Sequence, residues 1–230
     1  MATRAPRRSA QQRRRLILQS AQAVFAANNY ASVGTADLAK AAGISEPALY
    51  RYFTSKKDLF ISTIQDSGAR LLEIWERLAM EAVNPLDVIW AIGLGYYDHL
   101  RSRSPVMKLL FQAVSEADDP DIRRALHENF ASFIRFLSEN IEEAKRRGLI
   151  RQDVDTIVAA WQFMAMGLGL DLIHMLSFTD DIDRSAVEEW QRMYLSSLLE
   201  KPGGSKPAGR FAGGGFDRSM MEDWRQLHLE

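Results

Sequence analysis

Thr35-Ala36-Asp37-Leu38-Ala39-Lys40-Ala41-Ala42-Gly43-Ile44-Ser45-Glu46-Pro47-Ala48-Leu49-Tyr50-Arg51-Tyr52-Phe53 is the stretch that decides the fold. Two short helical patterns flank one glycine. Thr35 is a suitable N-cap for a helix over 36–42, and Gly43 stops it. Ser45 caps the next helix, which tolerates Pro47 in its first turn and runs to about Phe53. Ala39 and Ala42 let the helices approach, while Leu38, Ile44, Leu49 and Phe53 supply a small core. Glu46, Pro47, Ala48, Tyr50 and Arg51 are left on the outer face of the second helix. That is the arrangement of a helix-turn-helix, whose second helix enters the DNA major groove.

Upstream, residues 13–28 predict a helix with Leu16, Ile17, Ala21, Val24 and Phe25 on one face. Asn28-Asn29-Tyr30 is expected to end it through a left-handed stop, with Asn29 doing the work of a glycine. Downstream, Thr54-Ser55 opens a long helix from Lys56 to about Met80. Charge follows the same division. Residues 1–60 hold ten basic and three acidic side chains, and the remaining 170 residues hold nineteen basic and twenty-seven acidic ones. A basic head on an acidic body points to a polyanion that meets the head alone. An arginine-rich, acid-free start also resembles an organellar transit peptide, but the same residues serve better as an arm beside DNA.

The remaining pattern is helical as well: 85–101, 105–116, 120–147, 154–179 and 183–199. Leu86, Ile89, Trp90, Gly93, Leu94 and Tyr97 share a face in the first of these. Ile122, Leu126, Phe130, Phe133, Leu137, Ile141 and Ala144 recur at helical spacing in the third. Gly148 ends that helix as a left-handed stop, with Leu149 for the accompanying contact. The expected fold class is all-α, a three-helix helix-turn-helix head with a helical-bundle body. Its parts are a flexible basic arm (1–12), the DNA-binding domain (13–60), the body (61–200), and a flexible linker with a short C-terminal helix (201–230). In that last part Lys201–Gly215 is glycine-rich, and Phe216, Met220, Trp224 and Leu227 are spaced like one helix face.

The quoted stretch together with Thr54-Ser55-Lys56-Lys57-Asp58-Leu59 resembles the head of the TetR (tetracycline-repressor) family across about residues 13–60. Beyond residue 60 the resemblance is one of architecture only. Carried over, it implies phosphate contacts from Thr35, Tyr50 and Lys56, two of which stand at helix N-termini where an anion is favoured. It implies base reading by Ala36, Glu46, Pro47 and Ala48, with Ser45 beside them. Arg51 is read either as a base contact or, by preference, as a phosphate contact. Arg13 and Arg14 would reach the backbone or minor groove, whereas Lys40 and Lys57 are expected to be solvated surface charges. The family also implies a ligand cavity in the body, lined by Trp75, Trp90, Tyr97, Phe111, Phe130, Phe133 and Met166. Gln162, Asp171, His174, His99 and Asn129 are its candidate polar groups. A four-helix dimer interface is implied through Gly167, Leu170, Trp190, Met193 and Tyr194.

The function expected is a dimeric, ligand-responsive transcriptional regulator, a repressor, that binds palindromic operator DNA and is released by a small apolar or aromatic ligand. The alternative is a DNA-binding regulator without a small ligand, controlled by a protein partner. No enzyme, cofactor or metal site is expected. The chain has no cysteine, its four histidines lack ligand spacing, and no phosphate-binding glycine loop occurs. Ile157–Phe178 is apolar but contains Gln162, Asp171 and His174, so it reads as a buried helix rather than a membrane span. The expected location is the cytoplasm, at the nucleoid.

Overall fold

The computed structural model describes residues 9–101, 105–178 and 182–199, and the tail beyond 200 lies outside them. Among the described residues every regular element is helical. In order these are α1 (Ala10–Ala27), a 3-10 turn (Tyr30–Ser32), α2 (Thr35–Ala41), α3 (Glu46–Leu49), α4 (Lys56–Glu81) and α5 (Pro85–Arg101). Then come α6 (Pro105–Ser115), α7 (Pro120–Arg146), α8 (Thr156–Met175) and α9 (Arg184–Leu198).

Several boundaries differ from the sequence expectation, each for a local reason. Helix α1 begins at Ala10 rather than residue 13, because Ser9 and Gln12 cap each other's backbone amides at 3.1 and 2.9 Å. The end of the basic arm is therefore helix. Asn28 and Asn29 are both extended, not left-handed. The Asn28 side-chain amide closes α1 instead, donating to the Val24 carbonyl at 2.9 Å. Helix α2 is capped one residue early, with Gly34 at the N-cap and Thr35 already helical; the Gly34 amide donates to the Asp37 carboxylate. Ser45 holds the N-cap position of α3 without a side-chain bond. Single-turn bonds from Tyr52 and Phe53 to the Leu49 carbonyl carry the chain on to Phe53. Gly43 and Gly148 are left-handed as expected (φ +65° and +68°).

The chain forms two compact units. The first takes α1 to α3, α4 as far as Arg70, α6, and α7 as far as Asn129. Its core joins Ile17, Phe25, Leu38, Leu49, Phe53 and Phe60 to Leu109, Ala113, Ile122 and Leu126. This cut is not the 13–60 and 61–200 division, since α6 and the start of α7 complete the head's core. Lys57 takes part in that join. It is paired with Asp119 and Asp121 at 3.1 and 2.9 Å rather than simply solvated.

The second unit holds the rest of α4 and α7 with α5, α8 and α9. Ile74, Trp75, Ile89, Ile92, Phe133, Leu137, Phe163 and Leu195 are central to its core. Helix α5 is buried on nearly every side, from Leu86 to Leu100. Helix α8 is buried on one side only. Ile157, Val158, Trp161, Leu172, Met175 and Leu176 are 45–62% exposed. Among the described residues α8 is the one helix long and apolar enough to cross a membrane, yet Ala159, Ala160, Phe163, Leu170 and Asp171 of it are buried in this unit.

Candidate nucleic-acid interface and polar sites of the body

The head's recognition surface is built where α2 and α3 begin. Thr35, the first residue of α2, donates its hydroxyl proton to the Glu46 carboxylate in a short hydrogen bond, and the Tyr50 hydroxyl lies 3.5 Å from the same Thr35 oxygen. Three of the sequence-predicted contacts therefore form one cluster that ties α2 to α3. The bond positions the Glu46 carboxylate and the Thr35 hydroxyl side by side at the start of the two helices. Ala36, Ser45, Pro47, Tyr50 and Arg51 are exposed, and Ala48 is half-buried. Short apolar and hydroxyl side chains at these positions suit thymine methyls and groove edges.

Lys56, at the start of α4, reaches back to the turn before α2. Its ammonium donates to the carbonyls of Tyr30 and Val33 at 2.9 and 3.1 Å, reaches Ala31 at 3.5 Å, and lies 4.5 Å from the centre of the Tyr30 ring. With its N–H groups directed at these carbonyls, it braces the turn between α1 and α2. The start of α4 is likewise already capped. Ser55 accepts from the Asp58 amide at 3.0 Å, and Asp58 accepts from the Thr54 amide at 2.7 Å. Arg14 is turned back onto the head, donating to Ser62 at 3.1 Å with its guanidinium 4.9 Å above the Phe53 ring. Arg13 is exposed.

In the body, the predicted ligand residues fall into separate groups. Trp75, Phe130 and Phe133 form an aromatic chain with centroids 5.1 and 6.2 Å apart, while Trp90 and Met166 pack at the edge of the core. Tyr97 and His174 line a small cleft with Leu100, Leu170, Ile173 and Ile182. Its enclosed space of about 10 Å³ has room for one water at most. Gln162 is exposed, and Phe111 and Asn129 belong to the first unit. The Asn129 amide donates to the Ile64 carbonyl at 2.9 Å. His99 is buried.

The Asp171 carboxyl is buried and accepts from the Tyr96 hydroxyl at 2.5 Å. Burial pushes its pKa up to about 7, a rise that the Tyr96 bond only partly offsets. Burial likewise holds Tyr96 neutral. Sequence reading found Asp171 but missed its partner, because Tyr96 lies 75 residues away.

The predicted dimer residues are also redistributed. Leu170 and Tyr194 are buried within the unit, and the Tyr194 hydroxyl donates to the Ala159 carbonyl at 2.9 Å. Gly167 faces the Tyr96 ring. Trp190 is half-buried, and Met193 is 63% exposed. Among the described residues, Ile157, Trp161, Leu172 and Leu176 leave an apolar face of α8 exposed. Those residues recur at roughly helical spacing, and that spacing was the signal available in the sequence.

Comparison with known proteins agrees with this architecture. Residues 17–63 match the family described as bacterial regulatory proteins, tetR family. A fatty acid metabolism regulator protein of Bacillus subtilis is 22% identical over 143 residues, which is 62% of this chain and 73% of that protein. Among solved structures, a TetR-family transcriptional regulator from Mesorhizobium loti is 21% identical with a TM-score of 0.68, covering 83% of this chain and 96% of the other. The transcriptional regulator FadR of Bacillus subtilis, solved in complex with stearoyl-CoA, is 18% identical with a TM-score of 0.61, covering 81% and 97%. The structural likenesses establish the fold, and the relatives are transcriptional regulators, not enzymes.

Proposed function

We infer from the match of residues 17–63 that the chain is a member of the tetR family of bacterial regulatory proteins and a DNA-binding transcriptional regulator, and on that premise we propose that it is a cytoplasmic homodimer that represses from a palindromic operator at the nucleoid and is released by a small apolar or aromatic ligand. The observation that carries the DNA reading is the Thr35–Glu46–Tyr50 cluster, which fixes α3 against α2 with Ala36, Pro47 and Arg51 exposed beside it. In this reading Ala36, Pro47 and Ala48 face bases. Tyr50, Arg51 and Arg13 hold phosphates, Glu46 orients Thr35, and Lys56 supports the turn behind them.

The dimer reading rests on the exposed apolar face of α8. A second copy meeting that face would bring two heads to one palindrome, with half-sites about 34–36 Å apart. Helix α4 contributes to both compact units, so a ligand that binds one setting of it better than another shifts DNA affinity by its differential affinity for the two. The apolar body of such a ligand is in keeping with the acyl chain carried by the Bacillus relative.

Selection of operators from random DNA with the full chain tests the reading. The expected product is an inverted repeat, with affinity that falls steeply between low and physiological salt. An asymmetric site bound by a monomer would sink the dimer, and a salt-indifferent affinity would sink the phosphate assignments.

A further inference from the structure

Two buried acceptor oxygens in the second unit have no hydrogen-bond partner, Asp171 Oδ2 on α8 and Gln191 Oε1 on α9. Their side chains are 1% and 3% exposed. An unpaired buried acceptor costs free energy that a native fold recovers only if something else pairs with it. Both side chains meet the same stretch of α5. The Gln191 amide fills the space that a side chain at Gly93 would occupy, and Asp171 is held by Tyr96. Gly93 and Tyr96 are three residues apart on one helix, hence neighbours on its surface, with β-carbon positions about 5–6 Å apart. The two oxygens therefore approach one patch of α5 from two different helices. The carboxyl of Asp171 has no cation among its hydrogen-bond partners: Tyr96 supplies a neutral hydroxyl.

We propose that the junction of α5, α8 and α9 is the polar end of the effector site, with Asp171 and Gln191 as its acceptors, and that it takes a protonated amine on an apolar body. This rests on the proposed ligand-sensing role of the body and adds to it the chemistry of the ligand's head. An ammonium supplies donors for both oxygens and the charge that the carboxylate lacks. A carboxylate head of the same length meets only acceptors.

The test uses the full-length protein and three probes with one chain and different heads: octylamine, octanol and octanoate. Affinity is read by calorimetry and by the shift in thermal midpoint. Octylamine is expected to bind about tenfold or more tighter than octanol, with octanoate weakest. Asp171→Asn keeps the shape and an acceptor for the Tyr96 hydroxyl, and it should abolish the advantage of octylamine over octanol. Gln191→Leu should weaken octylamine and octanol alike. Octanoate binding as well as octylamine, an unaltered octylamine affinity in Asp171→Asn, or no binding of any probe would each overturn the assignment. The sensing role itself fails separately: octylamine bound at this site without any loss of operator affinity would leave the amine site standing and remove the switch.

Discussion

Helices α5 and α8 are both strongly apolar, and the fold treats them in opposite ways. From Leu86 to Leu100, α5 is enclosed by its own unit, whereas α8 buries Ala159, Ala160, Phe163, Leu170 and Asp171 and leaves Trp161, Leu172 and Leu176 about half exposed. The glycines show the same contrast. A β-carbon on Gly93 of α5 would overlap the Gln191 amide, while one on Gly169 of α8 would meet nothing within 4 Å. An apolar helix states that it needs cover and does not state where the cover comes from. For α5 the cover is α8, α9 and the rest of the unit. The outer face of α8 has no cover among the described residues, which is why a second copy is proposed there.

The largest effect expected from this contrast is on assembly. Leu172→Lys with Leu176→Lys places two charges on the open face of α8. If that face is the dimer seam, sedimentation equilibrium should show monomers at concentrations where the parent is dimeric, a loss of about 4 kcal/mol or more. Circular dichroism should stay helical, since neither residue is buried in the unit. A dimer that survives both lysines would mean that α8 is covered by something else.

On α5 the expected effect is smaller but lies within the fold itself. Gly93→Ala should lower unfolding free energy by about 2–3 kcal/mol, because the Gln191 amide must leave a buried position. Gln191→Ala in the same chain should restore most of that loss, measured as the urea midpoint. If the single variant is as stable as the parent, the close approach of α9 to α5 is not as described.

Where the two helices meet, Asp171 and Tyr96 make stability depend on pH. The folded-state pKa of Asp171, about 7, lies above the ordinary carboxyl value, so its protonated form favours the folded protein. That contribution is complete below the unfolded-state pKa near 4 and is lost as pH rises through 7. Asp171→Asn should therefore be more stable than the parent at pH 8 by about 4 kcal/mol, with the gap closing towards pH 4. A constant gap across that range would assign the titration to another group.

How far these features were legible in the sequence depends on the range of the interaction. The head was legible because its signals are local: Gly43, the alternation of Leu38, Leu49 and Phe53, and the charge surplus all act within a few residues. The cap at Ser9 was legible in principle, since Ser9 and Gln12 stand at capping-box spacing. The fate of Lys56 was not, because the carbonyls of Tyr30 and Val33 that take its protons lie 26 and 23 residues upstream. The same holds for Asp171 and Tyr96, and for the join of α6 to the head. On α8 and α9, Leu170 and Tyr194, which the family resemblance implied for a dimer seam, are buried within their unit, whereas the helical phase of Trp161, Leu172 and Leu176 picks out the exposed face.

The smallest effect is also the cleanest comparison with Gly93. Glycine inside a helix is less favourable than alanine by about 0.5–1 kcal/mol, through backbone entropy alone. At Gly169 the space for a methyl group is open, so Gly169→Ala should gain that amount where Gly93→Ala loses more. The measurement belongs in the Leu172→Lys, Leu176→Lys background, where a second copy cannot contribute and the midpoint reports the single chain. A gain there, together with a weaker dimer in the otherwise unaltered protein, would place Gly169 in close approach to the partner. A loss in the monomeric background would mean that α8 is as tightly covered by its own chain as α5, and the contrast between the two helices would fall.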